Sequence, residues 1–442
     1  MLNKVASFID SHQLLSREGL HIVALSGGPD SVALLLVLQR LGYRVEAAHC
    51  NFHLRGEESN RDEEFVKSLC EKAGVALHLI HFDSVSYAEL HKVSIEMAAR
   101  DLRYGYFRQL CQDIGAETVC VAHHRDDAVE TFLMNLLRGS GIHGLTGMRP
   151  RNQQVVRPLL GVSRREILDY LDSIGQDYVT DSSNLVDDVL RNKIRLKVIP
   201  LLTELNPQTV VNIDKTAKYL QEVEKIFNNE ICRESSAVEH DEATGAESLS
   251  VANLLEMPAP ATFLHEWLSV YGFNSTQVEQ LFHGLQAGSG REFRSRSHIL
   301  VLNRGRLLVE SLQPPLKTLK IPEAGCYRYA SNLRFDVVIS DEIAISNSDN
   351  CATLDAANIR FPLYIRPVQR GDAFTPLGMN GRKLVSDFLT DRKLSVLDKR
   401  RQLVITDADG HILWLVGQRI DHKYRVKGHT SSILRITVVN TL

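Results

Sequence analysis

The residues with the clearest chemical potential form a short glycine-containing loop. Two glycines allow the backbone to turn tightly and to present successive N–H groups to an anion, and a following helix would add its partial positive charge. Serine hydroxyls are further donors, and a carboxylate beside phosphates is suited to hold Mg²⁺. An ordinary strand-to-helix turn explains the glycines alone, but the whole hexapeptide favours a phosphate site. Its residues are Ser26, Gly27, Gly28, Pro29, Asp30 and Ser31, with Asp30 as the Mg²⁺ ligand.

Two better-known phosphate loops do not fit this hexapeptide. It lacks the lysine of the G-x-x-x-x-G-K-S/T pattern, so it is not a Walker A loop. It also lacks G-x-G-x-x-G, which disfavours a Rossmann dinucleotide site. The sequence therefore predicts a phosphate-binding loop of another kind.

A second set of chemical groups, His123, Asp127 and Glu130, follows a predicted strand over Thr118–Ala122. The two carboxylates are three residues apart, so they would share one face of a helix near its start, where the helix dipole favours them. On spacing alone, a helix cap and a solvated acidic face are the favoured explanation, because Asp126 is an equally good cap.

The elements that would position these groups alternate short apolar runs with helical patterns. Strands separated by helices of this length need right-handed crossovers, so we expect an α/β domain with a doubly wound, mostly parallel sheet covered on both faces. Ligands of such sheets bind at the carboxyl ends of the strands, where both sets lie. The strands are predicted over His21–Ser26, Arg44–His49, Ala76–His81 and Thr118–Ala122, and the helices over Asp30–Leu41, Glu57–Ala73, Tyr87–Leu110, Ser163–Ile174 and Leu190–Leu205.

The composition of the 442 residues excludes several classes of protein. With 44% hydrophobic and 24% charged residues, the chain is neither disordered nor fibrous. Its longest apolar run near the start, Val32–Leu38, is too short to cross a bilayer, and the first residues lack a signal-peptide pattern, so we expect a cytoplasmic protein. Seven cysteines without a Cys-x-x-Cys pair indicate reduced thiols.

Charge is distributed unevenly along the chain. Residues 360–442 carry 15 Lys plus Arg and 7 Asp plus Glu, a net charge of +8, whereas the residues before them carry −11. Charge alone leaves open whether this tail binds a polyanion or is simply a soluble basic domain. The basic side chains that would contact nucleic-acid phosphates are Arg392, Lys393, Lys399, Arg400, Arg401, Arg419, Lys423 and Arg425.

Several stretches of the sequence resemble one enzyme family. The loop at 26–31 resembles the SGGxDS loop of the PP-loop ATP pyrophosphatases, and neighbouring motifs narrow the resemblance to the tRNA(Ile)-lysidine synthetases. Phe52 stands where this family would more often carry a His, which leaves His53 as the nearest imidazole. The motifs lie at 49–64 (HCNFHLRGEESNRDEE), 96–104, 122–148, 157–160, 191–195, 370–372, 376–379 and 417–421.

This resemblance implies a ligase that uses ATP and Mg²⁺. Such enzymes attach free L-lysine to C2 of cytidine 34 in the isoleucine tRNA with the CAU anticodon, releasing AMP and pyrophosphate and changing the tRNA from methionine to isoleucine specificity. By resemblance, Asp127 and Glu130 recognise lysine and orient its amine, and His123 belongs to the adenylation site. Arg103 would contact a phosphate or the adenylate, with a surface salt bridge as the alternative. These four residues and Asp30 form the predicted catalytic set.

Four segments are then predicted along the chain. They are a PP-loop catalytic domain of the adenine nucleotide alpha hydrolase-like type over 1–205, a helical middle domain over 206–297, a linker with short strands over 298–359 and a small basic α+β domain that binds tRNA over 360–442. Within the middle of the chain, the acidic passage Glu230–Glu256 is predicted as a loop. The oligomeric state stays open, with a homodimer as one alternative.

Three other functions fit the sequence less well. A PP-loop tRNA thiolase would need cysteines placed to carry sulfur or an iron–sulfur cluster, and the sequence has no Cys-x-x-Cys. An amide-forming PP-loop synthetase acting on a small molecule leaves the basic tail unexplained. A non-catalytic RNA-binding protein would predict a broken loop, whereas 26–31 is intact.

Overall fold

The structure is a computed structural model that describes residues 1–180, 190–242, 244–285, 291–314, 316–330 and 333–440. It divides into two compact units, Met1–Asn229 and Glu230–Leu442, and each is described by itself. Every helix in the described ranges is too short or too polar to cross a membrane.

The first unit alternates strands and helices. Its strands are β1 (Leu20–Ala24), β2 (Arg44–Asn51), β3 (Leu77–His81), β4 (Thr118–Cys120), β5 (Arg151–Asn152) and β6 (Val155–Val156). Its helices are α1 (Leu2–Ser11), α2 (Pro29–Arg40), α3 (Glu57–Ala73), α4 (Ser84–His91), α5 (Ile95–Ile114), α6 (Arg125–Leu137), α7 (Gly141–Leu145), α8 (Arg164–Ser173), α9 (Leu190–Lys193), α10 (Ile199–Leu205) and α11 (Thr209–Glu234), which runs past the boundary between the units. A π-helical turn, Ile194–Val198, joins α9 to α10.

The strands of this unit form one sheet in the order β3-β2-β1-β4-β6-β5. All neighbours are parallel except β5 and β6. Helices α1, α2, α3 and α8 pack on one face through residues such as Leu34, Val66 and Ile167, and α5 packs on the other through Phe107 and Leu110. The doubly wound, mostly parallel α/β domain is therefore confirmed.

The helix predicted over Tyr87–Leu110 is divided in two. Lys92 adopts a left-handed backbone conformation with φ of 54°, which ends α4. Ser94 then caps α5, because its Oγ accepts a hydrogen bond from the N–H of Met97 at 3.2 Å. Apolar residues continue to recur across this break, so the sequence pattern did not indicate that one helix ends and another begins here.

The second unit contains more strands than helices. Its helices are α12 (Val251–Glu256), α13 (Pro260–Ser269), α14 (Ser275–His283), α15 (Val385–Asp391) and α16 (Val396–Arg401). Its strands are β7 (Glu239–Asp241), β8 (Ala246–Ser250), β9 (Glu292–Arg294), β10 (His298–Asn303), β11 (Arg306–Ser311), β12 (Leu319–Ile321), β13 (Gly325–Tyr329), β14 (Leu333–Ser340), β15 (Cys351–Asp355), β16 (Leu363–Pro367), β17 (Ala373–Phe374), β18 (Lys383–Leu384), β19 (Leu403–Thr406), β20 (Ile412–Leu415), β21 (Arg419–Ile420) and β22 (Ile433–Asn440).

Antiparallel sheets organise this second unit. The first sheet, β7-β8-β11-β10-β9, packs against α12, α13 and α14 around Trp267 and Leu300. Two further sheets, β12-β16-β19-β20-β21 and β13-β14-β22-β15, share a core that includes Phe335 and Trp414. Helices in the middle of the chain followed by a strand-rich C-terminal part agree with the predicted fold class.

Two expectations for the middle of the chain need correction. The passage Glu230–Glu256 is not a loop, because it contains the end of α11, strands β7 and β8, and α12. Strand β7 gives no apolar signal in the sequence, because its three residues are exposed and two of them are acidic, as suits a sheet edge. The segment 298–359, predicted as a linker with short strands, does contain strands, but its six strands belong to three sheets, and strands such as β15 pair with residues far along the chain.

Candidate active site

The glycine loop joins the carboxyl end of β1 to the start of α2. Gly27 has φ of +88°, a conformation that favours glycine, and Pro29 occupies the first turn of α2, where a missing N–H costs nothing. The Ser31 Oγ lies 3.1 Å from the Ser26 Oγ and donates to the carbonyl oxygen of Gly28 at 3.0 Å. These contacts brace the turn and leave the first N–H groups of α2 at the carboxyl edge of the sheet, as an anion site requires.

Asp30 lies in the first turn of α2 with one carboxylate oxygen buried and without a hydrogen-bond partner among the described residues. That oxygen, Oδ1, is 3.7 Å from His124 Nε2, and the other, Oδ2, is 3.4 Å from Arg164 Nη1. Burial raises the pKa of Asp30 despite these two cationic neighbours. A buried oxygen of this kind costs free energy, and a hard divalent cation would satisfy it, so the residues fit Mg²⁺.

Two carboxylates and two guanidinium groups form a cluster beside this loop. Arg191 Nε donates to Glu130 Oε2 at 2.7 Å, and Arg191 Nη2 donates to Asp127 Oδ1 at 2.9 Å. Arg195 Nε donates to Glu130 Oε1 at 2.5 Å, while its Nη2 lies 3.4 Å from Asp127 Oδ1. Glu130 is only 1% exposed. Burial tends to raise the pKa of Asp127, but His124 and Arg191 hold it below its usual value.

Packing between helices fixes the cluster. Val129 and Phe132 of α6 pack against Ile194 in the π-helical turn. This contact brings the acidic side of α6 close to Arg191 on α9 and to Arg195 in the π-helical turn. The pair of carboxylates is therefore held in a buried site, where it forms ion pairs with two guanidinium groups.

Two histidines follow β4, and their pKa values are shifted in opposite directions. His123 Nδ1 accepts a hydrogen bond from Arg157 Nε at 3.1 Å, and burial lowers the pKa of His123 to about 4. Burial also tends to lower the pKa of His124, but the carboxylates of Asp126, Asp127 and Asp30 raise it above its ordinary value. The site thus offers one neutral imidazole and one that is readily protonated.

The structure brings most of the predicted catalytic set together. His124 links it, since its Nε2 lies 3.7 Å from Asp30 Oδ1 and 3.4 Å from Asp127 Oδ2. Arg103 lies on α5 with its guanidinium carbon 5.3 Å from the ring centre of Phe52, just past the end of β2. Its contact with a phosphate stays a prediction.

Sequence reasoning assigned no role to five residues that contact the predicted set, namely His124, Arg157, Arg164, Arg191 and Arg195. Arg191 and Arg195 are four residues apart on a predicted helix, so their shared face was a signal that could have placed them together. His124 and Arg164 could not be found from spacing, because they approach Asp30 from elements far along the chain.

The predicted tRNA-binding residues of the second unit fall into two groups. Arg400 and Arg401 on α16 form ion pairs with Glu292 and Glu310 of the neighbouring sheet, so they are engaged within the unit. The remaining side chains are at least partly exposed, and several rest on local partners such as a hydroxyl, an amide or an aromatic ring. These are Arg392, Lys393, Lys399, Arg419, Lys423 and Arg425.

Comparison with known proteins assigns the chain to a family. The PP-loop domain profile matches residues 2–202, and the TilS substrate binding domain profile matches residues 242–312. The chain is 42% identical to the tRNA(Ile)-lysidine synthase of Bacteroides thetaiotaomicron over 436 residues, covering 99% of each chain. It is 43% identical to that of Parabacteroides distasonis over 447 residues, covering all of both. The chain belongs to the tRNA(Ile)-lysidine synthase family.

Family membership confirms the resemblance seen in the motifs. Members of the tRNA(Ile)-lysidine synthase family with a PP-loop domain are ATP-using ligases, so the chain is an enzyme of that class. A solved U34-tRNA thiolase from Methanococcus maripaludis is similar over 50% of this chain and 77% of its own, with 17% identity and a TM-score of 0.43. That likeness is too weak to support an argument about function.

Proposed function

We propose that the chain uses ATP to activate C2 of cytidine 34, in the isoleucine tRNA with the CAU anticodon, by adenylating the oxygen on that carbon, and then joins free L-lysine to C2. AMP and pyrophosphate are released. The observation that carries this proposal is the buried Asp127–Glu130 pair, which already holds cationic groups beside the phosphate loop. Lysine is a substrate whose amine such a pair would recognise.

In the first proposed step, cytosine O2 attacks the α-phosphorus of ATP and the bond to pyrophosphate breaks. The N–H groups of the glycine loop and of the first turn of α2 stabilise the leaving pyrophosphate. Asp30 would hold Mg²⁺, which when bound neutralises charge on the phosphates. His123, neutral and held by Arg157, is able to orient the base without adding charge.

In the second proposed step, the lysine ε-amine attacks C2 and the bond from C2 to the oxygen of AMP breaks. The amine arrives as an ammonium ion and must lose a proton to react. Asp127 and Glu130 bind the ammonium ion, a carboxylate or imidazole of the site accepts its proton, and the two carboxylates orient the free amine. The exposed basic side chains of the tail would hold the tRNA through its phosphates. We also propose a cytoplasmic location, and the homodimer stays a prediction.

Replacement of Asp30 by asparagine is expected to stabilise the metal-free protein. The pKa of Asp30 is higher in the folded protein than in the unfolded protein. The free energy of unfolding therefore falls as the pH rises from the pKa of Asp30 in the unfolded protein through its pKa in the folded protein. An amide avoids this loss, so Asp30→Asn should gain about 1 kcal/mol at neutral pH. Thermal unfolding at pH 7 in a chelating buffer measures the change.

The same variant should lose ATP-dependent lysine transfer, and Mg²⁺ should raise its melting temperature less than that of the wild type. Asp169→Asn is a matched control, because Asp169 lies exposed on α8. A metal-free Asp30→Asn protein that melts below the wild type would contradict the assigned environment.

Transfer of labelled lysine to tRNA tests the proposed function directly. The full-length protein is incubated with ATP, Mg²⁺, labelled L-lysine and an isoleucine tRNA with the CAU anticodon. Label should enter the tRNA only when ATP is present, and a tRNA with uridine at position 34 should remain unlabelled. AMP release without lysine transfer would contradict the proposal.

A further inference from the structure

A recess of about 330 Å³ opens at the carboxyl edge of the first sheet, between the turns 52–54 and 81–85. These turns follow β2 and β3, which are parallel neighbours with Asn51 opposite His81. Strand β2 is also the neighbour of β1, which leads into the phosphate loop. The recess is therefore about two strand spacings, ~10 Å, from that loop along the same edge.

Flat side chains form the walls of this recess. The rings of Phe52 and Phe82 stack with their centres 5.5 Å apart, and those of His53 and His81 stack at 4.9 Å. Arg103, which does not itself line the recess, places its guanidinium carbon 5.3 Å from the centre of the Phe52 ring. Aromatic faces and guanidinium planes are the groups on which proteins stack unpaired nucleobases.

Buried polar contacts hold the turn at 52–54 in place. Asn51 Nδ2 donates to Glu63 Oε2 at 2.7 Å, and Asn51 Oδ1 accepts from the N–H of His53 at 2.9 Å. His53 has φ of +52°, a left-handed conformation that these contacts support. The wall is thus formed before any ligand arrives, which lowers the cost of ordering on binding.

One polar group in the recess is left unsatisfied. Ser84 lines the recess and is 1% exposed, yet its Oγ has no hydrogen-bond partner among the described residues. A buried hydroxyl without a partner is unfavourable, and a ligand that bonds to it would remove this cost. The edge of a nucleobase carries such donors and acceptors.

We propose that this recess binds an unpaired nucleobase of the tRNA anticodon loop next to the cytidine that is modified. The inference rests on the proposed function, which places the reacting cytidine at the phosphate loop. The base next to that cytidine in the RNA would reach the recess along the same edge of the sheet. The ring of Phe82 would stack on the base, with Phe52 packed against Phe82, and Ser84 Oγ would bond to the edge of the base. The recess opens at exposed side chains, His53 and Val85, as entry of an RNA loop requires.

Steady-state lysine transfer by the full-length protein, with an anticodon stem-loop RNA as substrate, tests this proposal. Phe82→Leu keeps apolar volume but removes the flat ring, and we expect the KM for RNA to rise about 10-fold. The KM for ATP should stay within twofold of the wild type. Tyr219→Leu, at an exposed ring on α11, is the matched control and should change neither value.

Ser84→Ala distinguishes a binding role of the Ser84 hydroxyl from a purely structural role. Removal of the unsatisfied hydroxyl should raise the melting temperature, because a buried polar group is lost, and should also raise the KM for RNA. His53→Asn, which tolerates the left-handed backbone, is a second surface variant if Phe82→Leu lowers the melting temperature. It should raise the KM for RNA as well.

Abasic RNAs locate the base. Each stem-loop in this set lacks one base of the loop. For one of them, we expect the KM of Phe82→Leu to equal that of the wild type, because the base that stacks on Phe82 is already missing. The inference is overturned if the wild type transfers lysine and both Phe82→Leu and Ser84→Ala have the same KM for RNA as the wild type. It is also overturned if only the KM for ATP changes, because the recess would then bind adenine. A wild type that transfers no lysine would instead overturn the proposed function.

Discussion

Replacement of Glu130 by glutamine is expected to reduce lysine transfer by about 100-fold or more while the affinity for tRNA stays within twofold. Glu130 is buried and accepts hydrogen bonds from Arg191 and Arg195, so its charge acts inside the site. Under the proposed function this carboxylate binds the ammonium group of lysine and orients the amine that attacks C2, a contribution of about 10²- to 10⁴-fold. Labelled lysine transfer and tRNA binding measure the two effects.

The step at which Glu130→Gln fails is also predicted. Because Glu130 acts on lysine and not on ATP, the variant should still release one equivalent of pyrophosphate per enzyme in a tRNA-dependent burst. Loss of one carboxylate leaves two guanidinium groups against Asp127, so we expect a loss of about 3 kcal/mol in the free energy of unfolding. Glu71→Gln, at an exposed position on α3, is the control. Lysine transfer at the wild-type rate would place the lysine site elsewhere.

The first unit could be predicted closely because each of its elements has a local pattern. The strand at 20–24 is a buried apolar run, and the helix Glu57–Ala73 has the bounds expected from its periodicity. The sheets of the second unit could not be predicted in the same way. Strand β22 pairs with β14 and β15, and the paired residues are between 78 (Asp355 with Ile433) and 107 (Leu333 with Asn440) positions apart in the chain. No local pattern encodes such pairing.

The candidate site also has some features that local sequence predicts and others that depend on residues far along the chain. The carboxylates at 127 and 130 could be placed on one helical face, but on spacing alone they read as a solvated surface. Their burial depends on Arg191 and Arg195, which arrive from another helix through the packing of Ile194. The neutral state of His123 depends on burial and on Arg157, and neither can be read from neighbouring residues.

The structure also changes how the basic tail should be tested. A truncation after Ile359 would remove β22, which pairs with both β14 and β15, and would leave their sheet without its inner strand. Such a protein would lose tRNA binding through unfolding alone. Substitutions of single exposed side chains avoid this difficulty. The arginines of α16 serve as a control, because they carry the same positive charge but are already paired with carboxylates.

Replacement of Lys393 and Lys423 by alanine is expected to weaken tRNA binding about 10-fold at moderate salt. Both side chains are exposed, and each lost phosphate contact should reduce the slope of log affinity against log salt by about 1. Arg400→Gln removes one positive charge from the same unit, but its guanidinium pairs with Glu292, so it should lower stability slightly and leave the slope unchanged. Titrations at several salt concentrations measure the slopes. If Arg400→Gln alters the slope as much as the double variant, phosphate binding depends on α16 and the exposed lysines are not the contacts.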